Sequence, residues 1–371
     1  MIKILFTIPN FDTAGSGKAL LHIAKRLDPK RFEVHIACMH NRGAFFKTVE
    51  ASGFSIHIFD YTTPMKPYVK GLKACYEISK KLKNIGPDII HSFHYAADYS
   101  EPLAAKMAGI QWVYTKKNMN WGGASKNAWY LRSFLAAAIV VQNTDMMVEF
   151  FKNSSKTILI PRGVDVETFK PLEKSEDLAK EWQLETDKRI IMCVANLVPV
   201  KGIEVLLQAF QWMNAKFPDW KLMVVGDHNN PYGQKMIGLA NTLGLKEQVV
   251  FCGKQNNVQD YLSLAEVVVL PTLNEGRKEG SPVSLLEAMA SGKNVLGSNV
   301  SGIKDQLQPF PQHLVKAGDI EAWYIALLRY CSNTRERNAH IGNQFRDYVV
   351  QHYHIDKEVK RCQELYLKLI N

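Results

Sequence analysis

At 371 residues, 46% apolar and 22% charged, the chain has the composition of an ordinary soluble globular protein and a length that suggests two domains. The longest apolar stretch, Phe134 to Val141, is far too short to span a bilayer, and six cysteines scattered without a Cys-x-x-Cys pair read as reduced core thiols of a cytoplasmic protein. The net charge of +10 is uneven: residues 1–167 hold 22 Lys plus Arg against 13 Asp plus Glu, and the remainder 24 against 23, so with no nucleic-acid motif the basic half points to phosphate or anionic lipid.

The opening MIKILFTIPN is too short an apolar run for a secretory signal and meets Pro9 without a cleavage site, so it reads as a buried first strand. A helix from Gly17 to Leu27 follows, then FEVHIAC, a helix near Ala44 to Ser52, and SIHIFD. A longer helix from Val69 to Ile85 precedes PDIIHSF, QWVYTK, AAIVVQN and KTILIPRG. Such alternation argues for a parallel sheet with helices on both faces. The pattern lapses in PRGVDVETFKPLEKSED, where Pro, Gly and charge cluster. It begins again at Arg189 with RIIMCVAN, a helix from Gly202 to Lys216, WKLMVVGD, a helix from Gly233 to Leu243, QVVFCG, a helix near Val258 to Leu264, and AEVVVLPT. The end of the chain, Asp356 to Ile370, reads as an amphipathic helix with Val359, Cys362, Leu365, Tyr366 and Leu369 on one face.

Chemistry concentrates at the turns after these strands. AGSGK lacks the first Gly and the Ser or Thr of a triphosphate P-loop, and lacks the third Gly and strand-end acid of a dinucleotide fingerprint. What remains is a flexible turn, Gly15-Ser16-Gly17, that lets backbone approach a phosphate closely. In the second half, ANLVPVKG sets Lys201 and Gly202 at a helix start, where a lysine can neutralise a departing diphosphate. The polar loop after Gly253 follows another strand at the same sheet edge, where open parallel sheets bind ligands. The stretch EGSPVSLLE places Glu279 and Glu287 eight residues apart across a Gly-Ser-Pro corner that ends one segment and starts a helix near Val283. Helix-end amides, a loop carboxylate and an in-helix carboxylate together suit a sugar joined to a nucleotide diphosphate.

Taken in order, these motifs resemble the retaining glycosyltransferases of family 4, over nearly the whole chain: PNFDTAGSGKALLHIAKRL, PRGVDVETFKP, VANLVPVKG, VVGD, VVFCGKQNNV, AEVVVLPT and EGSPVSLLEAMASG each match an element of that family. The resemblance implies a GT-B fold, α/β, with two Rossmann-like domains facing across a cleft. An acceptor-side domain would cover residues 1–167, a donor-binding domain 168–352, and a last helix, 353–371, would cross back to the first domain. It implies that Glu287 bonds the donor ribose, that Glu279 sits beside the donor sugar and its reacting carbon, and that Lys201 clamps the diphosphate. Gly280, Ser281, Pro282 and Val283 would offer amides to sugar or phosphate, with Gly226 and Lys254 on neighbouring donor-side loops and Gly15, Ser16 and Gly17 opposite. Where the family usually has Arg, Asn196 stands; Lys254, Arg277 and Lys278 are alternatives for the missing cation. Where the family often has His-x-His, His91 fits the first position, Phe93 the second, and His94 comes one place later with an active-site role expected for it. The loop KKNMNWGGASKNAWYLR, with Asn118, Trp121 and Trp129 among cations, is the expected acceptor side.

The expected activity is transfer of a sugar from a UDP- or GDP-linked donor to a hydroxyl of a glycan or lipid-linked acceptor, with no cofactor and, since no Asp-x-Asp pair stands in the second domain, no metal. The helix from Val69 to Ile85 sets Val69, Leu72, Tyr76 and Leu82 against five lysines, as a solvated helix face or as a contact with anionic membrane on its cytoplasmic side. A donor-binding scaffold without turnover and a nucleotide-sugar epimerase of the same fold are the alternatives.

Overall fold

Successive side chains of a strand point to opposite faces, so a strand covered on both sides must be apolar throughout. In the computed structural model, which describes residues 1–12, 14–43, 45–94, 96–120, 126–185, 188–276 and 280–370, strands of this kind organise two compact units. One is Met1–Pro161 together with the chain from Ile355 onward; the other is Arg162–His354.

Among the described residues of the first unit, seven parallel strands stand in the order β3-β2-β1-β4-β5-β6-β7. They are β1 (Ile2–Thr7), β2 (Phe32–Cys38), β3 (Ser55–Ile58), β4 (Ile89–Ser92), β5 (Gln111–Lys116), β6 (Ala138–Val141) and β7 (Thr157–Leu159). The winding reverses between β1 and β4, which pair from Ile4↔Ile89 to Thr7↔Ser92. One face of the sheet, with Phe6, Ile36, Ile89 and Val113, packs under the helices Ala14–Arg26 and Ile355–Ile370. The other, with Leu5, Ile90, Trp112 and Ile139, is covered by helices that include Tyr68–Ile85, Ser100–Ala108 and Lys126–Leu135.

The final helix buries Val359, Cys362, Leu365 and Tyr366 on the first unit, each buried large side chain contributing about 1.5–3 kcal/mol. Its Tyr366 hydroxyl meets His91 Nδ1 at 2.6 Å, and Thr115 Oγ1 lies 2.8 Å from His91 Nε2.

Two local features differ from the sequence pattern. The helix after β1 begins at Ala14, so Gly15, Ser16 and Gly17 form its first turn instead of a turn ahead of it. The helix Tyr68–Ile85 buries Gly71, Cys75, Ile78 and Leu82, while Val69 (84% exposed), Leu72 (46%) and Tyr76 (54%) face solvent. Gly71 lets this face close on the chain before it, since a Cβ there would stand 2.7 Å from the Met65 backbone, while Cys75, Ile78 and Leu82 continue the buried stripe at helical spacing.

The described second unit holds a six-stranded parallel sheet in the order β10-β9-β8-β11-β12-β13. Its strands are β8 (Arg189–Val194), β9 (Trp220–Val225), β10 (Val249–Gly253), β11 (Val267–Leu270), β12 (Asn294–Ser298) and β13 (Leu314–Val315). Ile191, Val224, Val267 and Leu296 face the helices Ile203–Asn214 and Ile320–Cys331. Met192, Met223, Val268 and Val295 face a layer that includes Val283–Ala290 and Arg335–Tyr353. All six cysteines are free and buried. Among the described residues, no helix is long and apolar enough to cross a membrane.

Candidate active site

Parallel sheets bind ligands beyond the carboxyl ends of their strands, at the point where winding reverses. In the second unit that point lies between β8 and β11, and the loops leaving the strands there are drawn together by glycines. A Cβ on Gly226, after β9, would stand 1.8 Å from the Ala195 carbonyl oxygen, so the loops after β8 and β9 touch backbone to backbone. The Gly226 N–H donates to the Gly253 carbonyl at 2.9 Å, which brings in the loop after β10 that carries Lys254. Gly202 has φ +63 and packs on the Pro271 carbonyl, while the Leu273 N–H donates to Val200 O at 2.8 Å; the loops after β8 and β11 are thus one layer.

Lys201 ends a short 3-10 turn, Pro199–Lys201, directly before Gly202 and is only 6% exposed. Asn196 and Lys254 are exposed on the same edge. Beyond β11, Gly280 is buried, and its carbonyl oxygen would meet a Cβ on Gly302 at 2.5 Å. Gln306 fixes the corner by donating from Nε2 to Ser281 Oγ (2.9 Å) and to Pro282 O (3.1 Å). The helix Val283–Ala290 then starts at Pro282, which gives no side-chain cap, and has no acidic residue in its first turn, so among the described residues its leading N–H groups face no capping side chain and suit an anion. Glu287 stands half-buried one turn in. Glu279, with Arg277 and Lys278, lies outside the described residues.

The first unit supports its own switch point differently. Beneath the ends of β1 and β4, Glu101 is fully buried and accepts from Thr7 Oγ1 at 2.5 Å and Ser92 Oγ at 2.8 Å. Burial pushes its carboxyl up, against the pull of Arg132. The Arg132 guanidinium, also fully buried, lies over the Trp112 and Tyr114 rings at 4.6 and 4.9 Å and donates to Asp98 O (2.6 Å) and His94 O (3.0 Å). Arg132 thereby holds the loop after β4. His94 itself is half-buried, edge-on to Tyr61, and its pKa is pressed down to about 3 by burial first and by the charges of Arg132 and Lys117. It is a neutral imidazole at any physiological pH. His91, fully buried between Tyr366 and Thr115, is a structural residue.

Gly17 has a packing reason, since a Cβ would come within 2.8 Å of the Phe11 ring, whereas Gly15 is exposed with nothing within 4 Å. Near the expected acceptor side, Asn118 is half-buried and accepts from Lys116 Nζ through its backbone carbonyl at 2.8 Å. Trp129 is not an acceptor-side aromatic: it is 3% exposed, between the Lys116 ammonium and the Arg132 guanidinium. Trp121 lies outside the described residues. Sequence reasoning missed Glu101, Arg132 and Gln306 because their partners lie 94, 38 and 25 residues away along the chain, and no local pattern announces such pairs.

Two Rossmann-like units, each presenting a loop-built carboxyl edge, define the architecture of the GT-B glycosyltransferases. Residues 13–168 match the family described as Glycosyltransferase Family 4, and residues 174–347 match Glycosyl transferases group 1. The chain belongs to this glycosyltransferase family and is a transferase. It is 26% identical, over 81% of its length and 81% of the relative's, to UDP-Gal:alpha-D-GlcNAc-diphosphoundecaprenol alpha-1,3-galactosyltransferase of Escherichia coli. In fold it is similar to a glycosyltransferase from Rickettsia africae (TM-score 0.87, 19% identity, 100% of this chain and 99% of that one). It is also similar to Anabaena HepE in complex with UDP and glucose (TM-score 0.81, 17% identity, 99% and 100%). The scaffold and epimerase alternatives draw no support from these likenesses.

Proposed function

We propose that the protein transfers a sugar, with retention, from a UDP-sugar to a hydroxyl of a lipid-linked glycan used in cell-surface polysaccharide or glycolipid synthesis. The observation that carries this reading is the edge of the second unit, where the buried Lys201 and the uncapped start of the helix Val283–Ala290 stand on loops locked to one another. Charge accumulates on the diphosphate as the bond to the anomeric carbon breaks, and a desolvated ammonium with helix-end amides stabilises it more than water does. Likeness to a UDP-Gal-dependent relative and to a UDP-bound fold neighbour favours uridine over guanosine. Glu279 is assigned to the donor sugar and Glu287 to the ribose.

The acceptor oxygen forms the new bond to the anomeric carbon while the old bond to phosphate breaks, and the acceptor proton goes to the departing phosphate. A histidine with a pKa near 3 takes up little proton at neutral pH, so His94 orients the acceptor or the sugar instead of acting as base. Asn118 and Trp121 are assigned to the acceptor. Lys201 and the amides supply the positive charge in a site proposed to need no metal. The exposed Val69, Leu72 and Tyr76, interleaved with Lys70, Lys73 and Lys80, suit contact with an anionic membrane surface where a lipid-linked acceptor resides.

The test is UDP release across a panel of UDP-sugars, with and without a polyprenyl-diphosphate-linked sugar. Release that depends on the acceptor and falls about 100-fold or more in Glu279→Ala supports the reading. Acceptor-independent consumption of donor, or an unchanged rate in that variant, defeats it.

A further inference from the structure

The helix Ile203–Asn214 starts directly behind Lys201, and Gly202 at its cap position has no side chain to accept from the first N–H groups. A residue of another helix does so instead. The Ile203 N–H donates to the Tyr232 hydroxyl at 3.2 Å, and that hydroxyl in turn donates to Oε2 of Glu204. Burial first, and then the Glu204 carboxylate, push the Tyr232 pKa up, so the phenol keeps the proton that this second bond needs.

Tyr232 is itself firmly placed. It is the second residue of the helix Pro231–Thr242, which Asn230 caps by accepting from the Gly233 N–H at 2.9 Å. Asn230 Nδ2 also donates to Asp227 O at 2.9 Å, and a Cβ on Gly233 would stand 2.5 Å from the His228 backbone. The loop after β9 is thus folded tightly onto the helix that carries the phenol, and it meets the chain after β8 twice, at Gly226 and through Tyr232.

The partner of that phenol matters because of where it stands. Glu204 comes three residues after Lys201, in the first turn of the following helix, a spacing at which a lysine and a glutamate are close enough to pair. A carboxylate drawn to Lys201 would offset the charge that a departing diphosphate needs and would itself repel that diphosphate. The Tyr232 hydroxyl gives the carboxylate a different partner.

We propose that Tyr232 is a positioning residue for sugar transfer: by fixing Ile203 and holding Glu204, it keeps that carboxylate from competing with the donor diphosphate for the Lys201 ammonium. The inference rests on the reading of Lys201 as the diphosphate clamp and adds to it a residue that acts through Lys201.

The experiment is calorimetric titration of the full chain with UDP in the wild type, Tyr232→Phe, Glu204→Gln, Lys201→Ala, and the double variants that add Tyr232→Phe to each of the last two. Tyr232 is half-buried, and Tyr232→Phe keeps the ring and removes one hydroxyl, a loss small against the stability of a domain. UDP affinity should fall about tenfold in Tyr232→Phe and return to within about twofold of the wild type when Glu204→Gln is added. In Lys201→Ala, where UDP binding is already weakened, adding Tyr232→Phe should change nothing further. A purely structural cap is lost in Tyr232→Phe with or without Glu204→Gln, so absence of recovery in that double variant overturns the proposal. Glu204→Gln alone should bind UDP at least as tightly as the wild type; a tenfold loss there would show that the carboxylate is itself needed, and overturns the proposal even if Tyr232→Phe fails to fold. Unaltered UDP binding in Lys201→Ala defeats the reading of Lys201 and this proposal with it, whereas weakened binding in Lys201→Ala beside wild-type affinity in Tyr232→Phe defeats this proposal alone.

Discussion

The two units reverse their winding in the same way and support the reversal point by opposite means. In the first, a buried carboxylate and guanidinium, Glu101 and Arg132, tie strand ends and the loop after β4 through side chains. In the second, Gly202, Gly226 and Gly302 let loop backbones touch directly, and among the described residues side chains add the Gln306 latch and the Tyr232 hydroxyl, which accepts from the Ile203 N–H at 3.2 Å. A shared topology therefore fixes where a ligand edge lies and leaves open how its loops are held. The side-chain network fails when charge is lost, whereas the backbone contacts fail at one added methyl.

The sharpest contrast is Gly226→Ala against Gly15→Ala. At Gly226 the new methyl would overlap the Ala195 carbonyl at 1.8 Å, which forces the loops after β8 and β9 apart. Destabilisation of about 3 kcal/mol or more and loss of UDP binding are expected, read by urea denaturation and calorimetry. At Gly15 nothing stands within 4 Å and the residue lies in a helix, so Ala should stabilise by up to about 1 kcal/mol. A stable Gly226→Ala protein with intact binding would break the comparison.

Next comes the charge pair. Arg132→Met removes the guanidinium above Trp112 and leaves Glu101 buried without its cation, at a cost of about 3–5 kcal/mol. Adding Glu101→Gln should recover part of that loss, because the stranded charge disappears with its partner. Additive losses in the double variant would show that the two charges do not interact.

How much of this was legible in the sequence follows from how local each cause is. The strand runs from IKILFTI to AEVVVLPT announce themselves by composition, and Pro282 marks the start of the helix Val283–Ala290 unaided. The turn at Lys201 was legible too, because Gly202 must take φ +63 and no other residue does so readily. The rotation of the helix Tyr68–Ile85 was not: Val69, Leu72 and Tyr76 form one apolar stripe and Cys75, Ile78 and Leu82 another, and the helix buries the second, with Gly71 against Met65. Trp129 failed for a similar reason, since a tryptophan among cations looks interfacial until Lys116 and Arg132 prove to be packed on its ring.

A smaller difference should separate the units in acid. The first holds His91, fully buried, and His94, half-buried, with pKa values pressed to about 3, and the second buries His313, pressed to about 4 by loss of solvation. An unfolded histidine takes its proton near pH 6.5. Folded-state values below that mean unfolding takes up protons, so stability is full above about pH 6.5 and falls as pH drops, by about 1.4 kcal/mol per pH unit for each residue. Glu101, pushed up by burial, works in the opposite sense and regains stability as it is protonated, blunting the slope of the first unit at its acid end. Between about pH 6.5 and 5.5, hydrogen-exchange protection of β4 should therefore fall faster than that of β12. Equal slopes would mean that His91 or His94 is protonated in the fold.

The mildest test restores a cation to the second unit. Asn196 is exposed at the end of β8, in the layer that carries Lys201, so Asn196→Arg adds a forked donor at that edge without burying it. Stability should change by less than about 0.5 kcal/mol, as for other exposed substitutions. UDP affinity should rise about three- to tenfold, an increment of about 1 kcal/mol from one charge-assisted contact to phosphate. If UDP binding is unchanged while Lys254→Ala weakens it, the loop after β10 already supplies the second cation. If neither substitution matters, the positive charge at this edge comes from Lys201 and the helix amides alone, and the backbone-built unit binds its anion with the same economy of side chains that holds its loops.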